Sequence, residues 1–143
     1  MISMQRKTRV VATVIVLLGL SVGAPAQPTA TYATGAEFYL AYRVAFDQAT
    51  SIDELLPWVA SGRREQIARA PANERKEAFE MIKMFDDRTN VTVISETPTA
   101  SGVELRVEGI SAESKAKATG VITLVKESGV WKIERESWKG SMP

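Results

Sequence analysis

A chain of 143 residues is one domain in length, and this one contains no histidine and no cysteine. Those absences exclude a histidine general base, a Ser-His-Asp triad, a histidine metal ligand, a cysteine nucleophile, a thiolate zinc site and any disulfide. With 18 basic and 17 acidic residues the charge is nearly balanced, and no basic face argues for nucleic acid.

Met1–Arg9 carries Arg6, Lys7 and Arg9 and no acid, Val10–Leu20 is almost wholly apolar, and Ala24-Pro25-Ala26 supplies the small residues a signal peptidase reads. Regions of these three kinds in that order predict a secretory signal peptide over residues 1–26, cleaved after Ala26. The alternative is an uncleaved anchor, but the apolar run is short of the ~20 residues a spanning helix needs. Export to a bacterial periplasm or to the extracellular space follows, with no membrane association after cleavage and no cysteine to carry a thioether lipid. Cleavage removes three of the 18 basic residues and none of the 17 acids, leaving 117 residues with a net charge of −2. Asn90-Val91-Thr92 is a glycosylation sequon only in a eukaryotic host, and a chance match in a bacterial export is the preferred reading.

Gln27–Thr34 is rich in Pro, Thr and Ala and reads as a flexible leader. Thr34 is an N-cap, with Glu37 completing a capping box, and the helix it opens runs to about Thr50. Phe38, Ala41, Tyr42, Ala45 and Ala49 lie on one helical face. Arg43 and Asp47 fall opposite at i,i+4, the spacing of an exposed surface ion pair. Ser51 and Glu54 form a second capping box that starts a short helix over Ile52–Ala60. Pro57 limits it to a turn or two, and Arg63–Arg69 supplies a further turn. Trp58, at helical spacing with Leu55 and Val59, is expected in the core. A third helix spans Asn73–Phe85, with Ala78, Phe79, Met81, Ile82 and Phe85 as a core-facing stripe. Asp86-Asp87 follow at its C-terminal end, where the macrodipole disfavours acids, and an ordinary turn accounts for them.

The period then changes from helical to alternating. Val91–Thr97 is a strand. Val103, Leu105 and Val107 alternate with Glu104, Arg106 and Glu108, as in a half-buried strand. From Lys115 to Lys139 the chain reads as two long antiparallel strands joined by Glu127-Ser128-Gly129. Val121, Thr123 and Val125 alternate with Ile122 and Leu124, so this strand is apolar on both parities and is expected to be covered on both faces. Trp131 and Ile133 share a face; Trp138 points to the other unless a bulge intervenes.

The helices EFYLAYRVAFDQA and SIDELLPWVASGRREQI and the ending GVITLVKESGVWKIERESW resemble exported members of the nuclear transport factor two-like superfamily, which includes the ketosteroid isomerase-like proteins. The resemblance covers roughly Gly35–Lys139. It implies an α+β fold of three N-terminal helices packed on a curved four-stranded antiparallel sheet. That cone-shaped domain spans 35–139, opens at one end into a pocket, and is followed by a tail at 140–143. Enzymes of this superfamily often use a histidine or an aspartate on the sheet. This chain has no histidine and its expected strands have no aspartate, so no catalytic residue carries over.

A carboxylate/tyrosine acid–base site stays open, with Tyr39, Tyr42, Asp47, Asp86 and Asp87 as candidates that spacing alone does not separate. Any ligand site is expected between the first helix and the inner sheet face, at Phe38, Tyr42, Leu105 and Ile133. Small Ala45 and Ala49 would let the sheet close in at one half of the helix, and Phe38 and Tyr42 would hold it apart at the other. The leading reading is an exported, non-catalytic domain that binds a small apolar ligand or a partner protein, without metal or cofactor and with a homodimer left open. The alternative is a cone-fold isomerase or hydratase using a Tyr/Asp pair.

Overall fold

In the computed structural model, which describes residues 30–140, helix α1 (Gly35–Gln48) begins where the sequence places its cap. The Glu37 amide donates to the Thr34 hydroxyl at 3.1 Å, and the Glu37 carboxylate reaches back to the Ala33 amide at 3.1 Å. The Gly35 amide donates to Glu96 Oε1 at 2.9 Å, an acid placed against the positive end of the helix dipole. The expected signal peptide at 1–26, residues 27–29 of the leader and residues 141–143 of the tail lie outside the described residues. The described end of the leader is anchored rather than loose, because Tyr32 packs edge-on against Phe38 with ring centroids 5.7 Å apart.

Among the described residues four helical segments, not three, precede the sheet. A 3-10 helix spans Ile52–Trp58, α2 Ser61–Arg69 and α3 Ala72–Phe85. The expected Ile52–Ala60 helix takes the tighter 3-10 form, with Pro57 inside it, and Ser51 makes no side-chain cap. Thr50 is engaged instead, its hydroxyl donating to Glu54 at 2.6 Å. Trp58 is buried as expected and packs against Phe38 and Tyr42.

The stripe expected on α3 is only partly in the core. Phe79 is buried, whereas Met81, Ile82, Met84 and Phe85 are exposed. The helix is docked by a few points rather than a face. Lys83 Nζ donates to the Phe46 and Asp47 carbonyls at 2.7 and 3.1 Å, a cation on the last carbonyls of α1. No helix among the described residues is long and apolar enough to cross a membrane.

Strands β1 (Arg88–Pro98), β2 (Gly102–Ser111), β3 (Lys117–Glu127) and β4 (Val130–Lys139) form one antiparallel sheet in sequence order, so the fold is α+β. The β3–β4 turn has two residues, Ser128 at φ 51° and Gly129 at φ 78°, the left-handed pair that matches the twist of a tight hairpin. Val103, Leu105, Val107, Ile122, Leu124, Trp131 and Ile133 face the helices and form one core with Phe38, Tyr39, Tyr42, Phe46 and Trp58. The opposite face of β3 is not covered by any described element, contrary to the expectation of burial on both sides, and Val121 is 39% exposed.

Between Thr123↔Arg135 and Leu124↔Ile133 the register skips a residue. This bulge turns Glu136 and Trp138 onto the same side as Trp131, so the odd spacing of the two tryptophans does not separate them. Trp138 lies over Gly120, where an added Cβ would come within 2.9 Å of the indole and 2.8 Å of Val107.

Candidate functional site

The α1 face that meets the sheet is mostly aromatic, yet Arg43 stands in it and is only 6% exposed. Its partner is not Asp47, which is exposed. The Arg43 guanidinium is held by Asp86, with Nη1 to Oδ2 at 2.7 Å and Nη2 to Oδ1 at 3.3 Å. Arg88 Nε donates to the same carboxylate at 3.0 Å and places its guanidinium 4.5 Å from the Trp138 ring centroid. A charge this deep is tolerated only when paired and hydrogen-bonded. The acid after the last turn of α3 thus completes a buried network instead of marking a simple turn.

Glu136 is the second acid of the network. Its Oε1 accepts from the Tyr39 hydroxyl at 2.8 Å and from Trp138 Nε1 at 2.8 Å, and lies 3.9 Å from Arg43 Nη1. Burial works against the Asp86 charge, but the hydrogen bonds and charges of Arg43 and Arg88 outweigh it and hold the carboxyl below the ordinary aspartate range. Burial, reinforced by Glu136, pushes the Tyr39 and Tyr42 phenols far up. Both are neutral hydroxyls at any physiological pH.

A cavity of about 210 Å³ opens beside this network. Phe46, Leu55, Phe79 and Ile133 supply its apolar wall, and Tyr42, Arg43, Asp86 and Glu136 its polar end, with Arg63 and Ile67 of α2 at the side. A hollow of about 540 Å³ lies beyond Trp138, against Met84, Phe85 and the β2–β3 connection. Of its polar side chains, Asp87 bonds Ser111 and Arg88 is held by Asp86, and the smaller cavity, set against the buried network, is the better candidate. Among the described residues no cluster of three or more acids could hold a metal ion.

Of the residues expected at a ligand site, Tyr42 and Ile133 line the cavity, whereas Phe38 and Leu105 are fully enclosed in the core and do not. The cavity lies along Tyr42, Arg43 and Phe46 in the C-terminal half of α1, not beside Phe38. Among the candidate acid–base carboxylates, Asp86 reaches the cavity but is held by two guanidiniums, Asp87 bonds Ser111, and Asp47 is on the surface. Sequence reasoning missed Arg43 and Glu136 as site residues. The only signal for Glu136 was its place in the WKIERESW ending; for Arg43 there was none. The chain matches no protein-family model, no curated protein and no solved structure.

Proposed function

We propose that this chain is an exported, non-catalytic domain of the nuclear transport factor two-like cone type, and that it binds a small, largely apolar ligand. The observation that carries the reading is the cavity between α1, the 3-10 helix and β4: apolar walls with a few convergent polar groups at one end, the usual make-up of a small-molecule site. The order of helices before an antiparallel sheet, with α1 against its inner face, supports the cone. The basic, apolar and small-residue succession of the N-terminus supports export. Intact mass of the exported protein is expected to correspond to a start at Gln27; a mass that retains residues 1–26 overturns export by cleavage.

Binding is favoured over a Tyr/Asp isomerase or hydratase because Tyr42 has no unengaged aspartate beside it. Asp86, the one Asp that lines the cavity, is fixed by Arg43 and Arg88 and held ionised, so it cannot serve as an acid and is a poor base. A cavity of ~150 Å³ is known to hold benzene, so one ring with a short side chain fits the space here. Titration with uncharged aromatic compounds such as phenylpropanol, followed by amide and methyl chemical shifts, is expected to move Tyr42, Phe46 and Ile133. Shifts confined to surface loops would overturn the ligand-binding reading.

A further inference from the structure

On the reading that this cavity binds a ligand, we infer that the ligand is a small carboxylate with an apolar body, its head group at Arg63 and Tyr42. The charges of the buried network balance among themselves, Arg43 and Arg88 against Asp86 and Glu136. Arg63 is left over. It lines the cavity from α2, is exposed, and makes no ion pair among the described residues.

Arg63 and Tyr42 line the same cavity, and the Arg63 charge bears on the phenol. Unlike the Tyr39 hydroxyl, which is committed to Glu136, the Tyr42 hydroxyl has no side-chain hydrogen bond among the described residues. A guanidinium and a neutral phenol can both donate, and of the groups that accept from both at once a carboxylate gains most, because its charge strengthens the bond to the guanidinium. A cationic head fits worse. Glu136 Oε1 already accepts two hydrogen bonds and stands beside Arg43. The apolar wall of Phe46, Leu55, Phe79 and Ile133 takes the rest of the molecule. Scaled from the ~150 Å³ that holds benzene, the space suits a body of about eight carbon atoms.

Isothermal titration of the purified chain near neutral pH with phenylpropionate, phenylpropanol and phenylpropylamine tests this. One body carries three heads. The acid is expected to bind about tenfold more tightly than the alcohol, the increment of one charge-assisted hydrogen bond, and the amine more weakly than either. Arg63→Gln is expected to weaken the acid about tenfold more than the alcohol, bringing the two to similar affinity, and Arg63→Lys to restore most of the preference. Alcohol binding as tight as acid, amine binding tighter than acid, or a preference that survives Arg63→Gln would overturn the carboxylate assignment and leave the cavity a binding site. Failure of all three compounds to bind would overturn the ligand-binding reading itself, and the carboxylate assignment with it.

Discussion

Asp86→Ala is expected to destabilise the fold by about 3–5 kcal/mol, the cost of removing one partner from a buried ion pair. The effect comes from what is left behind. Arg43 lies in the aromatic face of α1, and without Asp86 its guanidinium keeps a 3.4 Å contact to the Arg88 carbonyl, the Phe46 ring 5.2 Å away and the more distant Glu136. Replacing both partners with apolar residues, Arg43→Met with Asp86→Leu, is expected to cost less than Asp86→Ala alone, because no orphaned charge remains. Urea unfolding of the three variants measures this. A loss below about 1 kcal/mol for Asp86→Ala would mean that the pair behaves as a solvated surface bridge.

The same carboxylate sets an acid limit. Its folded value is held below the ordinary one, so its stabilising contribution is fully present above the unfolded aspartate value, about 3.9, and is lost as pH falls through the folded value. Asp86→Ala should therefore flatten the acid limb of the stability curve below about pH 4 and leave its shape near neutrality unchanged.

Much of the scaffold was legible because local chemistry decided it. Thr34 and Glu37 cap α1 whatever packs on it later. Ser128-Gly129 closes the hairpin because that turn needs two left-handed residues. The alternation of Val103, Leu105 and Val107 with charged neighbours fixes which face of β2 is inside. Periodicity also found α3, but it reports amphipathicity and not the partner. Met81 and Phe85 sit on a stripe that only Phe79 brings to the core.

The site was illegible for a different reason. Arg43 looks like a solvated charge, and Asp47 one turn on offers a ready mate, whereas its actual partner arrives from 43 residues away. The sides of Glu136 and Trp138 hung on whether a bulge intervenes after Ile133, and the bulge near Glu134 and Arg135 falls between two charged residues. No change of hydrophobic pattern betrays a skipped register there. Both misses concern long-range placement, and the cavity is built from them. Without the bulge, Glu136 would face outward, Tyr39 would lose its acceptor, and Trp138 would not cover Gly120.

Trp131→Ala is expected to cost about 3–5 kcal/mol, as for large core aromatics cut to alanine, while Asp47→Asn stays within about 0.5 kcal/mol, as for an ordinary surface change. Trp131 belongs to the continuous core on the helix-facing side of β4, and Lys126 lies 4.6 Å over its ring. Asp47 is exposed and is not the mate of Arg43, so Asp47→Asn removes no buried contact. Trp131→Phe separates ring burial from the indole N–H. That N–H is buried without a partner, so it offsets part of what burial of the ring contributes. The phenylalanine variant keeps most of the apolar contact and removes the unpaired donor, and its loss should fall well below that of alanine. Urea melts of the three variants, read at constant slope, give the order Ala, then Phe, then Asp47→Asn. An Asp47→Asn loss matching that of Trp131→Ala would place the end of α1, rather than the β4 face, at the centre of the fold's stability.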